Sequence, residues 1–103
     1  MDDLLLKDLL LGFVKLLILR HANESPIFGQ EFRDELKRHG YEMSFGTLYP
    51  TFHSMVESGY LKMEKRNVGG KIRKYYSITT KGKHVLKEGK IKAKELTNKL
   101  LEE

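Results

Sequence analysis

The sequence contains no cysteine. This absence excludes disulfide bonds, catalysis by a thiolate and zinc sites built on cysteine ligands. It also fits a protein of a reducing compartment, because disulfides are rare there. We therefore expect a cytoplasmic protein.

Long uninterrupted hydrophobic runs are also absent. The mostly aliphatic stretch from Leu4 to Leu19 is interrupted by Lys7, Asp8 and Lys15, and it is shorter than the ~20 apolar residues that a membrane span requires. Acidic residues precede this stretch, where a signal peptide would carry basic ones. We expect no membrane partner. A helix that is apolar on nearly all sides is instead expected to bury one face in the core of its own chain and another face against a partner.

The size of the chain favours one domain that associates with a second copy. With 103 residues, the chain is long enough for one compact domain and too short for two ordinary ones. Folding at this size buries only about 60 to 70% of the unfolded surface, so a second subunit would add useful apolar burial. A dimer is therefore expected.

Charge is distributed unevenly along the chain. Residues 1–60 hold six Lys or Arg and nine Asp or Glu, whereas residues 61–103 hold thirteen and five, so their net charges are −3 and +8. A polyanionic partner is therefore expected at the C-terminal half. The alternative is a lysine-rich surface that only keeps the protein in solution.

The pattern of apolar residues and turn signals predicts the order helix, helix, helix, strand, strand, helix. The expected fold is mainly α with a small β-hairpin. Ser25 and Pro26 indicate the start of the second helix, because proline at the first helical position loses no hydrogen bond within the helix. This helix is predicted to run to about His39 and to stop at Gly40.

The third predicted helix begins at Ser44, whose hydroxyl we expect to accept a hydrogen bond from the first turn. Its outer face carries Gly46 and Pro50, residues that a plain helix avoids. A small, polar face near the N-terminus suits a helix that presses closely against another molecule, as in a helix-turn-helix. The alternative is that both residues only shape a helix that starts later, near Tyr49.

A hairpin is predicted next, with strands from Leu61 to Arg66 and from Ile72 to Thr79 joined by a glycine turn. Its tip is cationic and directly follows the helix-turn-helix, as in a wing that contacts DNA phosphates or a minor groove. The tip cations are Lys65, Arg66, Lys71, Arg73 and Lys74. The alternative role for such lysines is to prevent aggregation at the strand edge.

Enzymatic function is not expected. The four histidines are scattered, and only His53 and Glu57 form a pair four residues apart, which is more often a surface contact than a catalytic dyad. No glycine loop, paired-carboxylate site, metal site or cofactor motif accompanies them. The stronger rival to DNA binding is a winged helix that serves as a protein-interaction module for an acidic partner.

The last helix is predicted to begin at the cap Thr80 and to carry a coiled-coil seam. The seam residues, at alternating steps of four and three, are Gly82, Leu86, Gly89, Ala93, Leu96 and Leu100. We expect a two-fold dimer built from the first and last helices. The predicted dimer residues are Leu9, Phe13, Leu86, Ala93, Leu96 and Leu100. The expected division is a winged helix-turn-helix domain over residues 1–79 and a dimerisation helix over residues 80–103.

These residues together resemble the PadR family of bacterial and archaeal transcriptional regulators. The resemblance rests on the stretches GTLYP (residues 46–50), Phe52 to Leu61 and RKYYSIT (residues 73–79), followed by Gly82 and Leu86. It implies a winged helix-turn-helix dimer, usually a repressor, whose recognition helix starts at Ser44. One departure is that Gln30 follows Gly29 where the family commonly has tyrosine.

The resemblance also implies the partners. Double-stranded DNA is the expected ligand, and some relatives respond to small aromatic compounds at the dimer interface, sometimes stacked on a tryptophan that this chain lacks. We expect two recognition helices in successive major grooves, and hence an inverted-repeat operator. The predicted DNA-binding residues are Ser44, Thr47, Tyr49, Pro50, Lys71, Arg73 and Lys74.

Overall fold

The computed structural model describes residues 3–103, which form four helices and a small sheet. The elements are α1 (Leu4–Glu24), β1 (Ile27–Phe28), α2 (Gly29–Arg38), α3 (Phe45–Glu57), β2 (Leu61–Val68), β3 (Lys71–Ile78) and α4 (Thr80–Leu101). The three strands are antiparallel in the order β1-β3-β2. This is the mainly helical winged-helix architecture that the sequence predicted, with one additional strand. Within residues 3–103, no helix is both long and apolar enough to cross a membrane.

The additional strand corrects the predicted start of the second helix. Ile27 and Phe28 pair with Tyr76 and Tyr75 of β3, and α2 begins only at Gly29. Ile27 is buried and Phe28 half-buried beside the sheet, so the strand removes their apolar surface from water. The predicted stop is confirmed, because Gly40 has a φ of +87° and the N–H of Tyr41 donates to the carbonyl of Leu36.

Helix α3 begins at Phe45, so the alternative start near Tyr49 is wrong. Ser44 is the N-cap residue by its backbone, and its carbonyl accepts from the N–H of Leu48 at 3.0 Å. The expected side-chain cap is wrong, since the Ser44 hydroxyl bonds no N–H of the first turn. Its Oγ instead lies 3.4 Å from Oγ1 of Thr47.

The hairpin is longer than predicted, because its strands extend to a turn at Gly69 and Gly70. Both glycines have positive φ, +57° and +85°, which is the conformation that a tight turn between twisted strands requires. The N–H of Gly70 donates to Oδ1 of Asn67 at 3.1 Å, so the tip is held by a side chain as well.

Helix α4 starts at Thr80, and its cap is Thr79 rather than the predicted Thr80. The Thr79 hydroxyl oxygen accepts from the N–H of Gly82 at 3.0 Å. Gly82 allows the helix to approach the chain before β2, because a Cβ there would overlap the carbonyl oxygen of Tyr60. Further along α4, a Cβ on Gly89 would overlap a methyl group of Leu16 in α1. The two glycines therefore let α4 approach closely, Gly82 to the backbone at Tyr60 and Gly89 to the side chain of Leu16.

The core joins all the helices and the sheet. Its fully buried side chains include Val14 and Ile18 of α1, Phe32 of α2, and Leu48 and Phe52 of α3. The Phe32 and Phe52 rings meet edge to face with centroids 6.0 Å apart. Leu86 of α4 belongs to the same buried cluster. This shared core fixes α3 against the sheet, which holds the β2–β3 hairpin beside α3.

Candidate nucleic-acid interface

The outer face of α3 is open to solvent at the positions that the sequence predicted. Ser44, Thr47, Tyr49 and Pro50 are all exposed, whereas Leu48 is fully buried. Tyr49 is the bulkiest of the exposed residues and leaves 49% of its surface accessible. The first two turns of α3 thus present a hydroxyl, a phenol and a proline ring to any molecule that approaches this face.

Pro50 lies inside α3 and cannot donate a backbone hydrogen bond. The carbonyl of Gly46, four residues earlier, therefore has no N–H partner at this position of the helix. The next turn is reinforced by a side chain, because the Thr51 hydroxyl donates to the Thr47 carbonyl at 2.8 Å. The interruption is thus confined to one turn at the exposed face.

Tyr49 is held by a stack that starts on α2. The Arg33 guanidinium lies 4.5 Å from the centre of the Phe45 ring, and its Nε donates to the carbonyl of Met43 at 3.3 Å. The Phe45 and Tyr49 rings stack with centroids 5.0 Å apart and planes 12° apart. Gly29 lies on the Tyr49 ring, since a Cβ there would be 3.0 Å from Cε1. These contacts restrict the orientation of the phenol before any partner binds.

Two arginines of the wing also lie on aromatic rings. Arg73 is half-buried with its guanidinium 4.7 Å from the centre of Phe28, and Arg66 lies 4.5 Å from the centre of Tyr75. Arg66 and Arg73 are directly opposite each other in the strand register. Like charges in this arrangement repel each other. The two rings offset part of this repulsion, and so does Glu64, whose carboxylate lies 3.3 Å from Nε of Arg66.

The lysines of the wing have no such compensation in the described residues. Lys65 and Lys74 face each other in the register, Lys71 follows the turn, and all three are exposed. This uncompensated positive charge makes the tip favourable for a polyanion.

A cleft of about 560 Å³ lies between α3 and the wing. Its walls are Phe28, Gly29, Gln30, Tyr49, residues 71–74 and Tyr76. Beside it, a second depression of about 410 Å³ lies between α3 and the strands and shares Tyr49, Lys74 and Tyr76 with the first. The structure thus brings Tyr49, Pro50, Lys71, Arg73 and Lys74 to one surface. Ser44 and Thr47 lie on the same helix but do not line these clefts.

Tyr76 forms the floor common to both depressions. Its ring stacks on Phe52 with centroids 4.5 Å apart, so the floor is anchored in the core. Burial raises the pKa of the Tyr76 phenol, and the nearby Tyr49 raises it further. The phenol is therefore neutral at physiological pH and does not oppose the positive charge of the wing.

Several residues of this surface were not predicted as site residues. Phe28 and Gly29 lie in the cleft because β1 ends there, and Gln30 occupies the position where the expected tyrosine is missing. Ile72 was noted only as a strand residue. The departure at Gln30 was the one sequence signal that pointed to this edge of the cleft.

The predicted dimer residues divide into two groups. Leu86 is buried and Ala93 half-buried within the single chain, where Ala93 shares a groove with Phe13. Leu9, Leu96 and Leu100 are 53%, 67% and 81% exposed. The first half of the α4 seam therefore packs on the α1 helix of its own chain, and the second half is left uncovered by it.

Comparisons with known proteins agree with this geometry. The model of the transcriptional regulator PadR-like family matches residues 18–88. The transcriptional regulator Rv3488 of Mycobacterium tuberculosis is 41% identical over 88 residues, which are 85% of this chain and 82% of that protein.

Solved structures show the same architecture. A PadR family transcriptional regulator from Eggerthella lenta is 34% identical with a TM-score of 0.82, over 95% of this chain and 89% of that one. A transcriptional regulator from Clostridium thermocellum is 30% identical with a TM-score of 0.78, over 91% and 94% of the two chains.

Proposed function

The chain belongs to the PadR-like family of transcriptional regulators, and on that premise we propose that it is a homodimeric repressor that binds an inverted-repeat DNA operator. Membership of a regulator family also confirms the prediction that the chain is not an enzyme. We further propose that it acts in the cytoplasm, where its DNA target would lie.

The observation that carries the proposal is the meeting of the recognition helix and the cationic wing at one cleft. Tyr49 and Lys74 line both depressions of this surface, and Lys71 and Arg73 line the larger one. A duplex placed against α3 would therefore meet positive charge on its phosphate backbone at the same time. We assign phosphate contacts to Ser44 and the wing cations, and base-edge or thymine-methyl contacts to Thr47, Tyr49 and Pro50.

The leucines at the free ends of α1 and α4 support a dimer. Leu4 and Leu5 of α1 are 76% and 71% exposed, and Leu100 and Leu101 of α4 are 81% and 72% exposed. Large side chains of this kind, clustered rather than scattered, mark an association surface. To bind successive major grooves, a two-fold dimer that buries them must hold its two recognition helices about 34 Å apart, one helical turn of DNA.

We propose that a small aromatic effector, where one acts, binds at this dimer surface. A groove of about 240 Å³ lies between α1 and α4, and Phe13, Leu17 and Ala93 are among its walls. Ligand sites of this kind are mostly apolar and form where helices meet. Occupation of the groove would change the separation of the two recognition helices.

Selection of bound duplexes from a random pool tests the proposal. We expect enrichment of an inverted repeat, bound by two copies of the chain. If each monomer neutralises about three or four phosphates, the slope of log K against log salt should be about −5 to −7 per dimer. A salt slope near zero, or no enrichment, would contradict DNA regulation and favour the alternative of a winged helix that binds an acidic protein.

A further inference from the structure

Ile72 is an unusually exposed apolar residue of the wing. Its side chain is 64% exposed, and among residues 3–103 the large hydrophobic side chains that exceed this value all lie near the ends of α1 and α4. Those leucines belong to the proposed dimer surface. Ile72 is instead the second residue after the glycine turn, far along the chain from both helix ends.

The neighbours of Ile72 are polar or cationic. Asn67 is its cross-strand partner, and Lys65 and Lys74 form the next pair on the same face of the sheet. Asn67 does not cover Ile72 with its amide, because its Oδ1 accepts from Gly70 in the turn. On this face of the tip, an apolar side chain thus has only polar and cationic neighbours.

Ile72 also lies on the face of the wing that packs beside α3. Side chains two and four residues apart share one face of a strand, so Ile72 lies on the same face as Tyr76, which stacks on Phe52 of the core. Ile72 lines the cleft that contains Tyr49. Because isoleucine is branched at Cβ, its side chain is stiff and loses little freedom on binding.

We propose that Ile72 enters the minor groove beside the recognition helix and packs on the sugar walls at a deformable base step. Proteins that deform DNA from the minor groove read it with basic and amide side chains and insert apolar side chains, isoleucine among them, at base steps. Pyrimidine–purine steps such as TA deform most easily, so Ile72 would select operators by DNA shape. This inference rests on the proposed function, because it requires a duplex bound at the cleft.

The test uses the full chain and the duplex found by selection. Footprinting locates the minor groove that the wing protects, and a second duplex carries AA in place of TA at that site. Affinities are measured for the wild type and for Ile72→Ala, Ile72→Val and Ile72→Lys at three salt concentrations. Val68→Ala is the matched control, since Val68 is 37% exposed on the opposite face of the hairpin.

We expect Ile72→Ala to bind the TA duplex about tenfold more weakly, because apolar contact area is lost, and to lose the preference for TA over AA. Its salt slope should not change, because no cation is removed. Ile72→Val should retain most of the affinity, and Val68→Ala should remain within about twofold of the wild type. Ile72→Lys should also bind the TA duplex more weakly.

Two results would overturn the inference while leaving the proposed function intact. In the first, the wild type prefers its selected operator, and the Ile72→Ala variant binds that operator with the same affinity and the same preference for TA over AA. The other is tighter binding by Ile72→Lys with a salt slope steeper by about 1.8 per dimer, which is what a purely electrostatic wing predicts for one added phosphate contact per monomer. A wild type without any preferred duplex would instead remove the proposed function itself.

Discussion

The ring of Tyr49 lies against the backbone of Gly29, so closely that a Cβ at position 29 would be 3.0 Å from Cε1 of the ring. Gly29 is the first residue of α2, and Tyr49 lies on the exposed face of α3. The first helix of the helix-turn-helix therefore fixes a side chain of the second. The Phe45 ring, which stacks on Tyr49, adds a second restraint.

Gly29→Ala should weaken operator binding by about tenfold, because the added methyl group displaces the Tyr49 ring from its position. The free energy of unfolding should change by less than about 1 kcal/mol, since alanine is a better helix former than glycine. A double-mutant cycle isolates the effect: in a Tyr49→Ala background, Gly29→Ala should leave affinity unchanged. Equal losses in both backgrounds would show that Gly29 acts independently of Tyr49.

Lys71→Ala and Lys74→Ala should each reduce the affinity for all duplexes alike. Each change removes about one phosphate contact per monomer, so the slope of log K against log salt should become shallower by about 1.8 per dimer. Titration at several salt concentrations measures this slope. Lys99→Ala, on the distant end of α4, is the control, and an equal change of slope there would contradict the role of the wing.

Leu100→Lys should convert the proposed dimer into a monomer. Leu100 is 81% exposed in the single chain, so a charge there leaves the monomer fold intact but becomes unfavourable when a partner covers it. Sedimentation at micromolar concentration measures the change. Asn98→Lys adds the same charge at an exposed position on the same turn but off the seam, and should leave the dimer unchanged. Identical masses for both variants would contradict the predicted interface.

Gly82→Ala should destabilise the protein by about 2 to 4 kcal/mol, because the added Cβ would overlap the Tyr60 carbonyl oxygen and the side chain of Ile78. Gly12→Ala is the matched control, since a Cβ there has no neighbour within 4 Å. That change in α1 should stabilise the protein by about 0.5 to 1 kcal/mol through helix propensity. Urea unfolding of both variants measures the difference, and similar values would show that α4 can shift away from Tyr60.

Tyr76→Phe should reduce the loss of stability at alkaline pH. Burial raises the pKa of Tyr76 in the folded state above its ordinary value of 10.0. The stabilising contribution is therefore complete below pH 10 and is lost as the pH rises through the folded-state pKa. Urea unfolding midpoints between pH 8 and about 11.5 should fall more steeply for the wild type than for the variant. Parallel curves would show that Tyr76 titrates alike in both states.

The periodic elements were predictable because their signals are local. The α3 start at Ser44, the stop at Gly40 and the paired glycines at 69 and 70 each reflect the conformational preference of one or two residues. The family resemblance and the predicted fold class are both confirmed. The DNA-binding residues and the dimer residues stay predictions, although the structure brings most of the predicted DNA-binding residues to one surface.

The tertiary structure decided what depends on distant partners. Ile27 and Phe28 carried a helical pattern, yet they form a strand because Tyr75 and Tyr76 pair with them nearly fifty residues later. The stack of Arg33, Phe45 and Tyr49 likewise depends on how α2 and α3 meet. The sequence by itself determined the helices, the turn glycines and the sign of the charge on the wing, since these follow from neighbouring residues. Only packing decided which side chains share the cleft, because that requires the whole core to form first.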